Sequence, residues 1–221
     1  MNLSLASAVG LAGALLAFIA TIPQAAKLLR LQSADGVSVA ALTNSTISGL
    51  AWTAFGVLEH DAWIAVTALI AVPATAAAAG LAWFRGGARD RLWMPAVWAV
   101  TLLAALTASS WIGTAPLALM LGCSISLLVT PAAVTAWRST DVSAVATSAW
   151  LLLLLEAAIT GAYGALVGIR ANELYAVVAI AGSLAILTRI ALPTGVHARL
   201  LHAVAAARPE AAVEETYELA S

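Results

Sequence analysis

The chain has 221 residues, 62% hydrophobic and 10% charged, with a mean hydropathy of +0.98. A soluble domain is typically about a quarter charged, so this composition is written for lipid and leaves no room for a separate soluble domain. The net charge of −1 and the lack of a basic cluster or aromatic RNA-binding motif give no support for a nucleic-acid partner. The single cysteine, Cys123, excludes an intramolecular disulfide and reads as a packing residue within an apolar stretch.

A hydrocarbon core of roughly 30 Å takes about 20 apolar residues per helical crossing. Apolar runs between charges predict an all-α integral membrane protein of seven transmembrane helices, at about residues 4–29, 38–58, 62–84, 92–109, 113–137, 144–168 and 172–192. Helices are the natural choice, because backbone polar groups in lipid must find partners within their own segment. The first run has no basic flank before it and no small-residue cleavage site, so it is expected to remain as a membrane helix. Lys27 and Arg30 follow the first helix, Arg85, Arg89 and Arg91 the third, and Arg138 the fifth, while Arg189, Arg199 and Arg208 end or follow the seventh. Only Arg170 falls on the other side. The positive-inside rule then predicts a multi-pass protein of the cell membrane with its N-terminus outside and its C-terminus cytoplasmic. Trp63 and Trp111 are expected at the outer boundary and Trp83, Trp93 and Trp137 at the inner one, as an aromatic belt. Residues 193–221 read as a solvated cytoplasmic tail.

Shifting the chain by about 108 positions superposes Pro23 on Pro131, Arg30 on Arg138, and Phe55-Gly56 on Tyr163-Gly164. Gly36-Val37-Ser38 meets Asp141-Val142-Ser143 only if three residues are dropped from the connector and restored in the next helix. The reading is two parallel three-helix repeats, 4–84 and 113–192. A three-helix unit alone would leave its copy inverted, so the helix at 92–109 serves as an inverting spacer, and its low polarity suits lipid.

Ile22-Pro23-Gln24, then Lys27, Arg30, Ser33, Gly36, Val37 and Ser38, and then Trp52 with Phe55-Gly56, resemble a PQ-loop motif. Over nearly all of residues 4–192 the chain resembles the SWEET and SemiSWEET sugar transporters and the wider PQ-loop group. The second copy departs from the motif, with Ala132 at the Gln position and Thr160 at the Trp position. The resemblance implies a carrier that moves a small polar solute, sugar foremost, by alternating access across the bilayer.

No Gly-rich phosphate loop, His-Glu-x-x-His helix or pair of carboxylates on one helical face is visible, so neither an enzyme nor a cofactor or metal site is expected. Asn44, Ser48, Trp52 and Phe55 recur at steps of four, four and three and share one helical face, which Leu152, Glu156, Thr160 and Tyr163 match in the second copy. In a SWEET-like arrangement these faces look onto the central pathway, where an aromatic plane and hydroxyl or amide groups suit a sugar. The resemblance also implies an Asn facing the substrate on the helix after each aromatic-Gly pair, and this sequence departs from that pattern. Thr67 and Tyr175 stand nearest that depth, and Asn172 reads as too shallow.

The expected solute-binding set is therefore Asn44, Ser48, Trp52, Thr67, Glu156, Thr160 and Tyr175, and the expected gating set is Pro23, Gln24, Phe55, Pro131 and Tyr163. Glu156, deep within a predicted helix with no basic residue at matching depth, must hold a proton, meet a cation or line a wet cavity. That leaves a proton-coupled carrier of an amino acid or other metabolite as an alternative, and a seven-helix receptor or sensor as a second. A retinal protein is excluded, because its Schiff-base lysine belongs in the last helix and the only lysine is Lys27. Two halves can enclose a pathway, so a homo-oligomer is compatible with the sequence but not required.

Overall fold

A computed structural model describes residues 4–30, 34, 38–87, 89, 91–138, 142, 147–193 and 195–200, with Pro23, Gln24, Lys27, Pro131, Thr135 and Arg138 described by backbone alone. The helices are α1 (Leu5–Arg30), α2 (Val39–Leu58), α3 (Ala62–Phe84), α4 (Trp93–Ile112), α5 (Ala115–Ser124), α6 (Ser126–Arg138), α7 (Thr147–Val167) and α8 (Arg170–Ala191).

Their ends follow local chemistry. Ser38 Oγ accepts the Ala41 N–H at 3.2 Å to cap α2, and Asp61 Oδ1 accepts from the N–H groups of Trp63 and Ile64 at 2.9 and 3.0 Å to cap α3. Gly168, at φ +78°, reverses the chain between α7 and α8, its N–H bonding the Gly164 carbonyl at 2.7 Å. The helix expected over 113–137 is broken at Ile125. There Ser126 Oγ takes the Cys123 carbonyl at 2.6 Å, the kind of side-chain competition that bends helices.

Among the described residues, six spans are long and apolar enough to cross a membrane: the first 18 residues of α1, then α3, α4, Ala115–Val134 of the α5–α6 pair, α7 and α8. The described protein is all-helical and built for contact with a bilayer. The 20-residue α2 is not among the six, because Thr43, Asn44, Ser45, Thr46 and Ser48 crowd its first half.

α3 packs between α1 and α2, and α8 packs between the α5–α6 pair and α7. The halves meet where α1 lies on α7 and where α2 lies on α5 and α6. The starts of α2 and α7, the starts of α3 and α8, and the ends of α1 and α6 each lie 108 residues apart. The connector slip expected near residue 141 falls on residues outside the described ones.

One end of the bundle carries the α2–α3 and α7–α8 turns and is called here the turn end. The other, where Arg85, Arg89, Arg91 and Arg189 lie, is called the basic end. The largest core cluster, including Phe55, Leu102, Leu117, Leu121 and Tyr163, joins both halves through α2, α4, α5 and α7. Close approach explains the paired glycines after Phe55 and Tyr163. A Cβ at Gly56 would strike the backbone of Ala65, and one at Gly164 would lie 2.7 Å from Asn172 Cβ.

Several expectations change. α4 exposes Trp93, Val97, Val100 and Leu103, but its other face buries Leu102 and Ala105 against α2 and α5, so it is more than a lipid-facing spacer. Trp83, Trp93 and Trp111 are exposed as a belt requires, whereas Trp63 packs on Gly10 and Trp137 donates its indole N–H to the Ala185 carbonyl at 3.0 Å. Cys123 is exposed rather than packed. Residues 195–200, assigned to a solvated tail, are helical, and His197 is fully buried with Nε2 donating to the Trp137 carbonyl at 2.9 Å.

Candidate functional site

A cavity of about 230 Å³ lies between the halves, walled by α1, α2, α3, α5, α6, α7 and α8. Small residues make room for it: Gly10 and Gly13 on α1 face Trp63 and Ile159, so α1 lies close to both α3 and α7. All seven residues expected to face the solute line this cavity: Asn44, Ser48, Trp52, Thr67, Glu156, Thr160 and Tyr175. They come from α2, α3, α7 and α8, up to 131 positions apart in sequence between Asn44 and Tyr175.

The polar groups form two sets. In the second half, Glu156 accepts hydrogen bonds at both carboxylate oxygens, from Thr160 Oγ1 at 3.0 Å and from the Tyr175 hydroxyl at 3.3 Å. In the first half, Ser48 Oγ accepts from the Trp98 indole N–H at 2.9 Å, which ties that wall to α4. The neighbouring hydroxyls of Thr43 and Ser45 bond to their own helix carbonyls at 2.9 and 3.1 Å. Asn44 is buried in the cavity wall and its Oδ1 has no partner. Trp52 links the halves, edge-on to Tyr175 with ring centroids 5.9 Å apart, and edge-on to Phe55 at 5.7 Å.

The expected gating residues separate. Tyr163 lines the cavity, and its hydroxyl donates to the Asp61 carboxylate, 2.8 Å from each oxygen, joining α7 to the start of α3 across the two halves. Phe55 shares the expected face but is buried in the core cluster beneath that bridge and does not line the cavity. Pro23 and Gln24 lie in α1 and Pro131 in α6, with their side chains outside the described residues.

Asn172, Asp61 and Ser124 lay outside the set expected from sequence. Asn172 was judged too shallow, yet it lines the cavity, buried, with Oδ1 unpartnered. Gly164 brings the first turn of α8 close enough to α7 to place it there. Asp61 escaped notice because it reads as a helix cap. The available signal was Tyr163 at the position Phe55 holds in the first copy, since a hydroxyl added to a buried ring needs a partner. Ser124, on α5 just before the Ile125 break, also faces the cavity. Among the described residues no group of three or more His, Cys, Asp or Glu is placed to hold a metal ion.

A comparison with curated proteins returned no match. Residues 5–65, which hold α1, α2 and the first turn of α3, match the PQ loop repeat family. With the helical, bilayer-suited fold, that match supports the PQ-loop family for this chain.

Proposed function

We propose that the protein is a membrane carrier that moves a small polar solute by alternating access, with sugars the leading class. The observation that carries this reading is the cavity between the halves, in which the seven expected residues meet. Its volume of about 230 Å³ falls below the roughly 300–1,000 Å³ of drug-sized ligand sites, which suits a single small solute. Trp52 supplies an aromatic face, and Asn44, Thr67, Thr160 and Tyr175 supply amide and hydroxyl groups to bond with solute hydroxyls.

In this reading α2 is a seventh crossing, its polar residues turned to the pathway and to its own carbonyls. The repeats are parallel, a relation supported by the common spacing of 108 residues and by the central place of α3 and α8. The turn end is external and closed by Asp61 and Tyr163, while Pro23 and Pro131 serve as hinges toward the cytoplasm. A proton-coupled carrier of an amino acid or other metabolite is the second reading, favoured by the carboxylate of Glu156 in the cavity wall.

Uptake of labelled monosaccharides and amino acids into proteoliposomes, with and without a proton gradient, tests both readings. A saturable sugar flux indifferent to the gradient supports the first, and an amino-acid flux that follows the gradient supports the second. Binding without any flux would mark a receptor. Trp52→Ala should weaken solute binding by about 1–3 kcal/mol while leaving the folded yield largely intact. In a chain lacking Cys123, Ser110→Cys should react with an impermeant external thiol reagent and Leu92→Cys should not.

A further inference from the structure

We propose that the cavity is a charge filter, admitting neutral or cationic polyhydroxy solutes and refusing their anionic counterparts, with Glu156 as the specificity-determining residue. The inference rests on the cavity being the solute site, and it narrows the class of solute that fits there. Among the described lining residues Glu156 is the only Asp, Glu, Lys, Arg or His. Its two oxygens accept from Thr160 and Tyr175, so those hydroxyl hydrogens already point at the carboxylate. The Tyr163 hydroxyl is likewise directed away, to Asp61.

The cavity-lining polar atoms that are both buried and without a partner are acceptors. Asn44 Oδ1 on α2 and Asn172 Oδ1 on α8 are both buried and unpartnered, one from each half. Buried acceptors without partners are costly, and a solute that brings hydroxyl or ammonium donors removes that cost. A carboxylate or phosphate brings only acceptors and, where Glu156 is ionised, a second negative charge, and it must leave water to reach them. Rotating both amides would offer it N–H groups, but no cation, and the charge of Glu156 would remain close by. In a site of low dielectric, like charges so placed repel far more strongly than in water. Discrimination here works through a repulsive element as well as an attractive one.

The test uses three solutes sharing one pyranose ring: glucose, glucosamine with its protonated amine, and glucuronate with its carboxylate. Binding to the purified full chain is measured by ligand-induced thermal shift and by calorimetry. Glucosamine should bind at least as well as glucose, and glucuronate at least about 30-fold more weakly. In Glu156→Gln the glucuronate-to-glucose ratio should narrow to within about fivefold, while Glu156→Asp, which keeps the charge, should preserve the refusal. Glucuronate binding as tightly as glucose in the unsubstituted chain overturns the filter, as does an unchanged ratio in folded Glu156→Gln. If none of the three binds, sugar is the wrong class, and glycerol, serinol and glycerate repeat the comparison on a smaller frame. Refusal of glycerate alone then upholds the filter without the sugar reading, equal binding of glycerate overturns it, and silence from all six overturns both.

Discussion

The two ends of the bundle are held in different ways. At the turn end, polar side chains reach across the halves: Tyr163 of α7 bonds Asp61 before α3, and Thr114 before α5 bonds the Glu59 carboxylate after α2. At the basic end, described side chains fasten helices within one half. The Arg85 guanidinium after α3 donates to the Leu28 carbonyl of α1, and Arg189 Nε of α8 donates to the Ala136 carbonyl of α6. Leu28 and Ala136 lie 108 residues apart, so the same clamp recurs in both halves on carbonyls that the helix C-terminus leaves without an intrahelical partner. An end stitched across the halves resists their separation, whereas an end stitched within each half stiffens each one separately. Under the proposed alternating access, this contrast among the described residues puts the opening movement at the basic end, with the halves parting there while the turn end stays shut.

The largest effect is expected at the repeated clamp. Arg189 is among the most deeply buried side chains, and Arg189→Ala both empties its space and strands the Ala136 carbonyl. Loss of a charged hydrogen bond with a buried acceptor left unpaired costs about 2–4 kcal/mol. The fall should register as a lower unfolding temperature in detergent, with solute affinity per folded molecule unchanged. A loss of affinity at unchanged stability would mean that Arg189 acts on the cavity, and the within-half role would fall.

A smaller effect, of the opposite kind, is expected across the halves. Tyr163→Phe removes only the hydroxyl that bridges to Asp61, leaving the ring in the core cluster and Asp61 free to cap α3. A hydrogen bond to a charged group contributes about 1.5 kcal/mol or more, so the population open at the turn end should rise by about tenfold. A cysteine replacing Ser124 in the cavity wall, in a chain lacking Cys123, should then react faster with an impermeant thiol reagent applied at the turn end. Equal labelling rates would show that the bridge does not hold that end closed.

These two devices also mark how far the sequence could be read. Helix positions and the repeat offset were legible because lipid forces long apolar runs and because Pro23 and Arg30 return 108 residues later, as does Phe55-Gly56 in the form Tyr163-Gly164. The cavity wall was legible on α2 and α7 because polar residues at helical spacing within an apolar run are conspicuous. The bridge was not, since Asp61 and Tyr163 are 102 residues apart and nothing local to either names the other. The break at Ile125 escaped for a related reason. Ser126 is an ordinary residue in a membrane helix until its hydroxyl takes the Cys123 carbonyl. Asn172 was misjudged in depth because position along a helix was taken for position in the bundle, whereas Gly164 draws the two helices together at that level. His197 looked like tail because the charges around it are those of a solvated segment, while its own ring packs 6.0 Å from that of Trp137.

The smallest effect is expected at the prolines, and it tests whether the difference between the ends has consequences in time. Pro23 lies in α1 and Pro131 in α6, each seven residues before the basic end of its helix. A proline has no N–H to offer the carbonyl four residues earlier, which is Ile19 in α1 and Leu127 in α6. Leu127 lines the cavity, so the weakened turn in α6 lies at the level of the cavity. Each half can therefore bend between a turn end held by the bridge and a basic end held by its own clamp. Replacing a proline by alanine restores up to one helical bond, worth about 0.5–1.5 kcal/mol, and should slow a step that needs the bend by up to about tenfold. Pro23→Ala and Pro131→Ala should each reduce turnover in proteoliposomes, and the double substitution should reduce it further than either alone. Solute affinity should stay within about twofold, because the cavity wall keeps its polar groups. Turnover unaltered in the double substitution would make the bends static, and the two ends would then differ in construction without differing in motion.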